Sequence, residues 1–431
     1  MLPCKYACRT PEHQVSRRAF LGGLGLGAAG LFGLNGFASP AAARQLSSAQ
    51  KRVCVIFMSG GLSQLESWDP KPRTSTGGPF KAIPTSVTGT HICELLPHTA
   101  KQMHRMALIR GLNSGDDDHG RGHTIMLTGR KPEPGIQYPE LGAVVAKLSG
   151  SENNPLPGHI SILPTGGGSG FSKQDAAFLG PKFASVQIAD GKPPADLFKP
   201  KDLTESVDAQ REALRRKLNA RFATTRKTAQ TEAYTESYDQ AEQFIRRGDV
   251  FAIQKEDPKI ADRYGRHDFG RHLLQARRLL EAGVTYVKVS HTNYDTHHEN
   301  FDFHIEQLGE FDAPFAYFLD DLAERGMLES TLVIVMSEMG RTPRINERYG
   351  RDHWSKAWSV ALAGAGVKGG SVSGKTNAEG TAVVDREING GHLFHTYLQA
   401  VGFDSTKEFK PDDRPIPIAD PKSSAIQEVL S

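Results

Sequence analysis

Four cysteines in 431 residues, Cys4, Cys8, Cys54 and Cys93, are too few for a disulfide framework. Only Cys54 and Cys93 lie beyond the first 43 residues, so any metal site there must be built from histidine and carboxylate side chains. Excess charge of one sign is missing as well. The formal net charge is only +3, which gives no electrostatic reason to expect nucleic acid or an anionic membrane as partner. No apolar run is long enough for the roughly 20 residues of a spanning helix.

What is present begins with S-R-R-A-F-L at Ser16 to Leu21, followed by the mildly apolar Gly22 to Phe37 and the small residues Ala41 to Ala43. A positive region, a short apolar region and an A-x-A site predict a cleaved twin-arginine signal over 1–43. The expected product is periplasmic or extracellular, exported already folded. Lys5, Arg9, Arg17 and Arg18 lie in this stretch against Glu12 alone. Removing them balances the 52 basic and 49 acidic side chains, so the apparent charge belongs to the signal. Cys4 and Cys8 leave with it. A disulfide between Cys54 and Cys93 is possible, but Cys54 lies in the run V-C-V-I-F-M, which favours a buried free thiol.

Residues 44–431 predict one α/β domain. Val53 to Met58, Ala107 to Arg110, His159 to Leu163, Tyr286 to Ser290, Thr331 to Met336 and Trp358 to Ala363 are short apolar runs of the kind buried on both faces of a sheet. Two helical patterns, ending at Gly283 and Gly326, each lead directly into such a strand. Helix, glycine and buried strand in succession predict a mostly parallel central sheet with helices on both faces. Between about 190 and 263 the chain turns polar, and Glu205 to Arg247 reads as two charged helices, a helical insertion. Gly166 to Gly170 lacks the spacing of a phosphate loop and reads as a plain loop.

In such a sheet, ligands bind where loops leave the carboxyl ends of the strands. Ser63, Glu66 and Asp69 follow the first strand, and His119 and His123 the second. Asp295, His297 and His298 follow Tyr286 to Ser290, Glu338 and Arg341 follow Thr331 to Met336, and His353 precedes Trp358. Mixed imidazole and carboxylate donors suit a divalent ion such as zinc or manganese, one or two in number. His392 and His395 open a C-terminal helical pattern and are expected to cap or pack.

The motifs M-S-G-G-L-S-Q-L-E-S-W-D-P-K-P, H-G-R-G-H-T-I-M-L-T-G, D-T-H-H-E-N-F, S-E-M-G-R-T-P and G-R-D-H-W occur in that order. In this the chain resembles the domain of unknown function 1501 family, which is similar in fold to the alkaline phosphatase, sulfatase and cofactor-independent phosphoglycerate mutase superfamily. The resemblance implies an alkaline-phosphatase-like fold and a metal set of Glu66, Asp295, His297, Glu338 and His353. His298 is a substitute for His297, because the spacing is tighter than the superfamily's Asp-x-x-x-His. Met339 stands where that pattern has a histidine. The superfamily's Ser or Thr nucleophile, ten residues before a glycine, falls on His119, counted back from Gly129. An imidazole there could attack phosphorus or ligate metal; Ser63 and Thr124 are the nearby hydroxyls. Arg341 is expected to clamp a tetrahedral oxyanion. The implied activity is hydrolysis of small-molecule or polymer phosphate or sulfate esters. The alternative is a catalytically inactive metal-binding recognition or assembly protein of the cell envelope.

Overall fold

The computed structural model describes residues 50–150, 156–164, 175–192, 203–224 and 247–431, together with positions 235 and 242. The signal at 1–43, the glycine-rich loop at 166–170 and most of the second helix expected before Arg247 lie outside the described residues.

All six apolar runs become strands of one eight-stranded sheet. In chain order the strands are β1 (Arg52–Met58), β2 (Met106–Leu112), β3 (His159–Leu163), β4 (Val186–Ala189), β5 (Tyr286–His291), β6 (Thr331–Met336), β7 (Trp358–Gly364) and β8 (Val372–Ser373). Across the sheet they run β8-β2-β7-β6-β1-β5-β3-β4. Only β7 is antiparallel to its neighbours β2 and β6; the other pairings are parallel. The carboxyl ends of β1, β2, β5 and β6 therefore share an edge with the start of β7. That is why His353, before a strand, joins residues that follow strands.

β1 lies at the centre, every residue buried, with Cys54 beside Val287 on one side and Val333 on the other. Its side chains divide by strand alternation. Cys54, Ile56 and Met58 pack with Leu273, Leu279, Phe311 and Phe315 on one face. Val53, Val55 and Phe57 pack with Val144, Phe394 and Leu398 on the other. The first face is covered by α4 (Asp268–Glu281) and α5 (Asn300–Glu324), the second by α1 (His119–Thr128), α2 (Leu141–Leu148) and α6 (Gly390–Ala400). In the polar stretch the described helices are α3 (Glu205–Ala223), capped by Thr204, and a short one at Pro258–Tyr264, capped by Asp257.

The helix ending near Gly326 is longer than its sequence pattern implied. It continues back through Pro314 to Asn300. Proline removes one donor and clashes with the preceding turn, and the packing of Phe311 and Phe315 in the core holds the helix together across it. Cys54 and Cys93 are free thiols, both buried. His392 caps α6 through a reciprocal box with Asn389, and His395 is bound by Ser405 and the carbonyl of Asp420. Among the described residues, no helix is long and apolar enough to cross a membrane.

Candidate metal centre

α1 begins at His119, with Asp118 accepting from the Arg121 amide at 3.0 Å, and closes at Gly129 in a left-handed conformation. His119 therefore stands at the first turn of a helix, aimed at the edge where β1, β5 and β6 end. Its Nδ1 lies 2.8 Å from Glu338 Oε1 and its Nε2 lies 3.3 Å from Asp295 Oδ2. Asp295 Oδ1 is also approached by His353 Nε2 at 3.2 Å and His297 Nε2 at 3.1 Å. Donor atoms of His119, Asp295 and His353 all lie within 4.8 Å of one another, and His297 Nε2 lies 3.1 Å from His353 Nε2.

The outer nitrogens each face an oxygen. His119 Nδ1 faces the Glu338 carboxylate, His297 Nδ1 the Asp352 carboxylate at 2.7 Å, and His353 Nδ1 the Asp117 carbonyl at 2.8 Å. Each of these outer oxygens accepts, so each Nδ1 can donate outward; with the proton there and none on Nε2, all three inner lone pairs would face Asp295. Three imidazole lone pairs and a carboxylate then converge, and like-signed density at such separations needs a cation or added protons between. Histidine oriented by an outer oxygen is the usual dress of a metal ligand.

Asp295 is held in place by Arg341, whose Nη2 lies 2.6 Å from Oδ1. Burial disfavours the Asp295 charge, but Arg341 overrides it and holds the carboxyl at about 2. The hydrogen bond to Glu338 raises His119 above the ordinary histidine range. The turn after β1 completes the frame. Gly60, at φ +113, brings its amide to Glu338 Oε1 at 2.8 Å, and a Cβ there would lie 2.4 Å from the Asp295 nitrogen. Only glycine suits both requirements.

Of the residues singled out in the sequence, the structure brings together His119, Asp295, His297, Glu338, His353 and Arg341. Their roles differ from those expected. Glu338 is nearly buried and stands behind His119, its Oε2 taken by the Ser337 hydroxyl at 2.9 Å. Arg341 is wholly buried and spends its donors on Asp295 and the carbonyls of Gly60, Gly61 and Arg351. Glu66 is not brought to the cluster: it lies in the interior, paired with Arg351. His298 faces Glu299 instead. Thr124 donates back along α1 to Gly120, and Ser63 is fully buried. Asp352 was missed, although it directly precedes His353 in G-R-D-H-W and was legible there.

The sequence matches the family described as "Protein of unknown function (DUF1501)" over residues 50–430. This chain belongs to that DUF1501 family. No curated protein matches it. Among solved structures it is similar to an alkaline phosphatase superfamily protein from Vibrio parahaemolyticus, at 12% identity and TM-score 0.39, covering 83% of this chain and 68% of that one. It is similar also to the lipoteichoic acid synthase LtaP from Listeria monocytogenes, at 8% identity and TM-score 0.39, over 86% and 74% of the two chains. A third is the PsFucS1 sulfatase from Pseudoalteromonas sp., at 13% identity and TM-score 0.37, over 84% and 71%.

An open cavity of about 870 Å³ adjoins the cluster in this DUF1501 chain, lined by His119, Asp295 and Glu338 and also by Tyr138, Glu140 and Asp175. Beneath it, Lys288 is buried in the middle of β5. Burial pushes the Glu140 carboxyl up to about 7, and the charge of Lys288 only partly offsets that. The lysine interrupting Y-V-K-V-S was the available signal for this group.

Proposed function

We propose that this DUF1501 protein is an exported, metal-dependent hydrolase of phosphate or sulfate esters, delivered by the twin-arginine route. One observation carries the reading: three imidazoles, each with its Nδ1 facing an outer oxygen, turn their Nε2 atoms toward one carboxylate. Neutral nitrogen donors with a carboxylate fit zinc or manganese. His119, Asp295, His297 and His353 would hold the ion, which supplies Lewis acidity toward an ester oxygen.

The chain's own groups prepare that site. Glu338, Asp352 and the Asp117 carbonyl keep the three Nδ1 protons in place, so the inner lone pairs stay available. Arg341 keeps Asp295 ionised and pointed at the rings. The adjoining cavity takes the alcohol part of an ester whose charged group lies at the cluster. The decisive test is turnover of phosphomonoester, phosphodiester and sulfate ester panels by protein purified with Zn²⁺ or Mn²⁺. Activity lost in His353→Ala and Asp295→Ala supports the reading; no turnover of any ester by metal-loaded wild type ends it.

The saturation of Arg341 favours a second reading, a catalytically inactive metal-binding recognition or assembly protein of the envelope. A guanidinium spent on Asp295 and backbone carbonyls has little to give an oxyanion, and no hydroxyl opens α1 where His119 stands. This reading predicts metal binding without ester turnover.

A further inference from the structure

We propose that the buried Glu66–Arg351 pair is a positioning device that sets the separation of the inner histidines. The inference rests on the metal reading above.

Both side chains are wholly buried. Glu66 takes Arg351 in a fork, Oε2 to Nε at 2.9 Å and Oε1 to Nη2 at 2.8 Å, and Oε2 also accepts from Asn300 at 3.0 Å. The remaining donors of Arg351 go to backbone: Nη2 to the Thr76 carbonyl at 2.7 Å, and Nη1 to the carbonyls of Thr342 and Pro343. Burial alone would raise the Glu66 carboxyl, and the charge of Arg351 overrides it and holds it low.

What this pair fixes is the cluster. The Arg351 amide donates to the Thr296 carbonyl at 2.9 Å, and its own carbonyl accepts from Arg341 at 3.1 Å. Thr296 precedes His297 and is tied by its hydroxyl to Asn300 at 2.6 Å, which returns to Glu66. Asp352 and His353 follow Arg351 directly, and Arg341 holds Asp295. One ion pair thus joins the loop after β1 to the segments that carry all but one of the inner donors. As a source of stability a buried pair is poor, since desolvation offsets much of its attraction. As a template it is specific, because a planar fork satisfies a carboxylate and several carbonyls in one fixed geometry. An apolar pair of equal volume could fill the space but could not bind those carbonyls.

The test compares Glu66→Gln and Glu66→Asp with Leu279→Ala, a core truncation in α4. Three quantities are read: Zn²⁺ affinity by chelator competition, thermal melting, and the imidazole nitrogen signals of His297 and His353 by NMR in metal-free protein. Glu66→Gln should weaken Zn²⁺ about 10–100-fold, as loss of an outer orienting group does, and shift both histidine signals. Glu66→Asp, which keeps the charge, should recover part of each effect. It carries the test alone if the glutamine variant does not fold. Leu279→Ala should melt earlier with affinity and signals unchanged. Unshifted signals and wild-type affinity in a folded Glu66 variant overturn the proposal, as would equal effects from Leu279→Ala. If wild type binds no Zn²⁺, the metal reading falls, and the NMR comparison still decides the positioning role.

Discussion

His297 Nε2 and His353 Nε2 lie 3.1 Å apart, while the Nδ1 of each ring faces an outer oxygen. Two lone pairs at that distance repel unless a proton or a metal cation lies between them, and on the metal reading the cation takes that place. Metal uptake is therefore expected to stabilise the fold, by about 2.7 kcal/mol at a free concentration 100 times the dissociation constant. Because ligands compete with protons, affinity should weaken as pH falls. Melting curves with Zn²⁺, Mn²⁺ and excess chelator check this; identical curves in all three would contradict it.

Asp352 orients His297 from outside the ring at 2.7 Å. Asp352→Asn keeps the shape but offers a weaker acceptor or, if the amide turns, a donor against Nδ1. Metal affinity should drop about 10–100-fold, with melting of the metal-free protein nearly unchanged because the carboxylate is exposed. Chelator competition measures the first and calorimetry the second. A variant that binds metal as wild type does would remove Asp352 from the site.

The contrast between Asp352 and Glu66 shows how far the sequence could be read. The strands were legible because β1, β5 and β6 are continuous apolar runs, and period and flanking glycines betray their order. The histidines were legible because they follow those strands. Their roles were not. Sequence order says that Glu66 follows β1 but not that Arg351, 285 positions away, neutralises it. Nor does it say that Glu338 faces the back of His119. Long-range partnership is a property of packing, and spacing along the chain does not encode it. The N-terminal half of α5 was hidden for a local reason, Pro314, whose cost the tertiary packing absorbs.

Gly122 sets the distance between α1 and the end of β6. A Cβ there would stand 2.7 Å from the Glu338 carbonyl oxygen, a rigid backbone atom that cannot yield like a side-chain end. Gly122→Ala should push α1 outward, costing on the order of 1–3 kcal/mol in stability and lengthening the His119 to Glu338 contact. The check is a denaturant melt paired with metal affinity. Loss of stability with affinity intact would mean that the helix moves without carrying His119.

Cys54 and Cys93 are buried and unpaired. Burial raises the Cys54 thiol well above its ordinary range and, acting first among several influences, pushes Cys93 up to about 12. Thiolate is the reactive form, so a disulfide-exchange reagent should titrate neither thiol in native protein and both in denaturant. Rapid reaction of either in the folded state would mean that its segment opens.

His123 gives the fold a defined sensitivity to acid. Its ring packs edge-on against Phe57 at 5.2 Å. Burial, helped by the charge of Lys288, lowers its pKa to about 3. The folded value lies below the unfolded value of about 6.5, so the neutral ring contributes stability that is present above pH 6.5 and lost as pH falls toward 3. The loss amounts to on the order of 4–5 kcal/mol over that window. His123→Phe keeps an aromatic edge for Phe57 and removes the titration. The variant's absolute stability also carries any change in packing, so the slope with pH is the informative quantity. Other buried histidines such as His159, lowered to about 4 mainly by burial, titrate in both proteins and cancel in the difference. Denaturant melts between pH 7.5 and 4 should show wild type losing stability faster than His123→Phe, the gap growing as pH falls. Parallel curves would mean that His123 gains a proton in the folded state as readily as in the unfolded one.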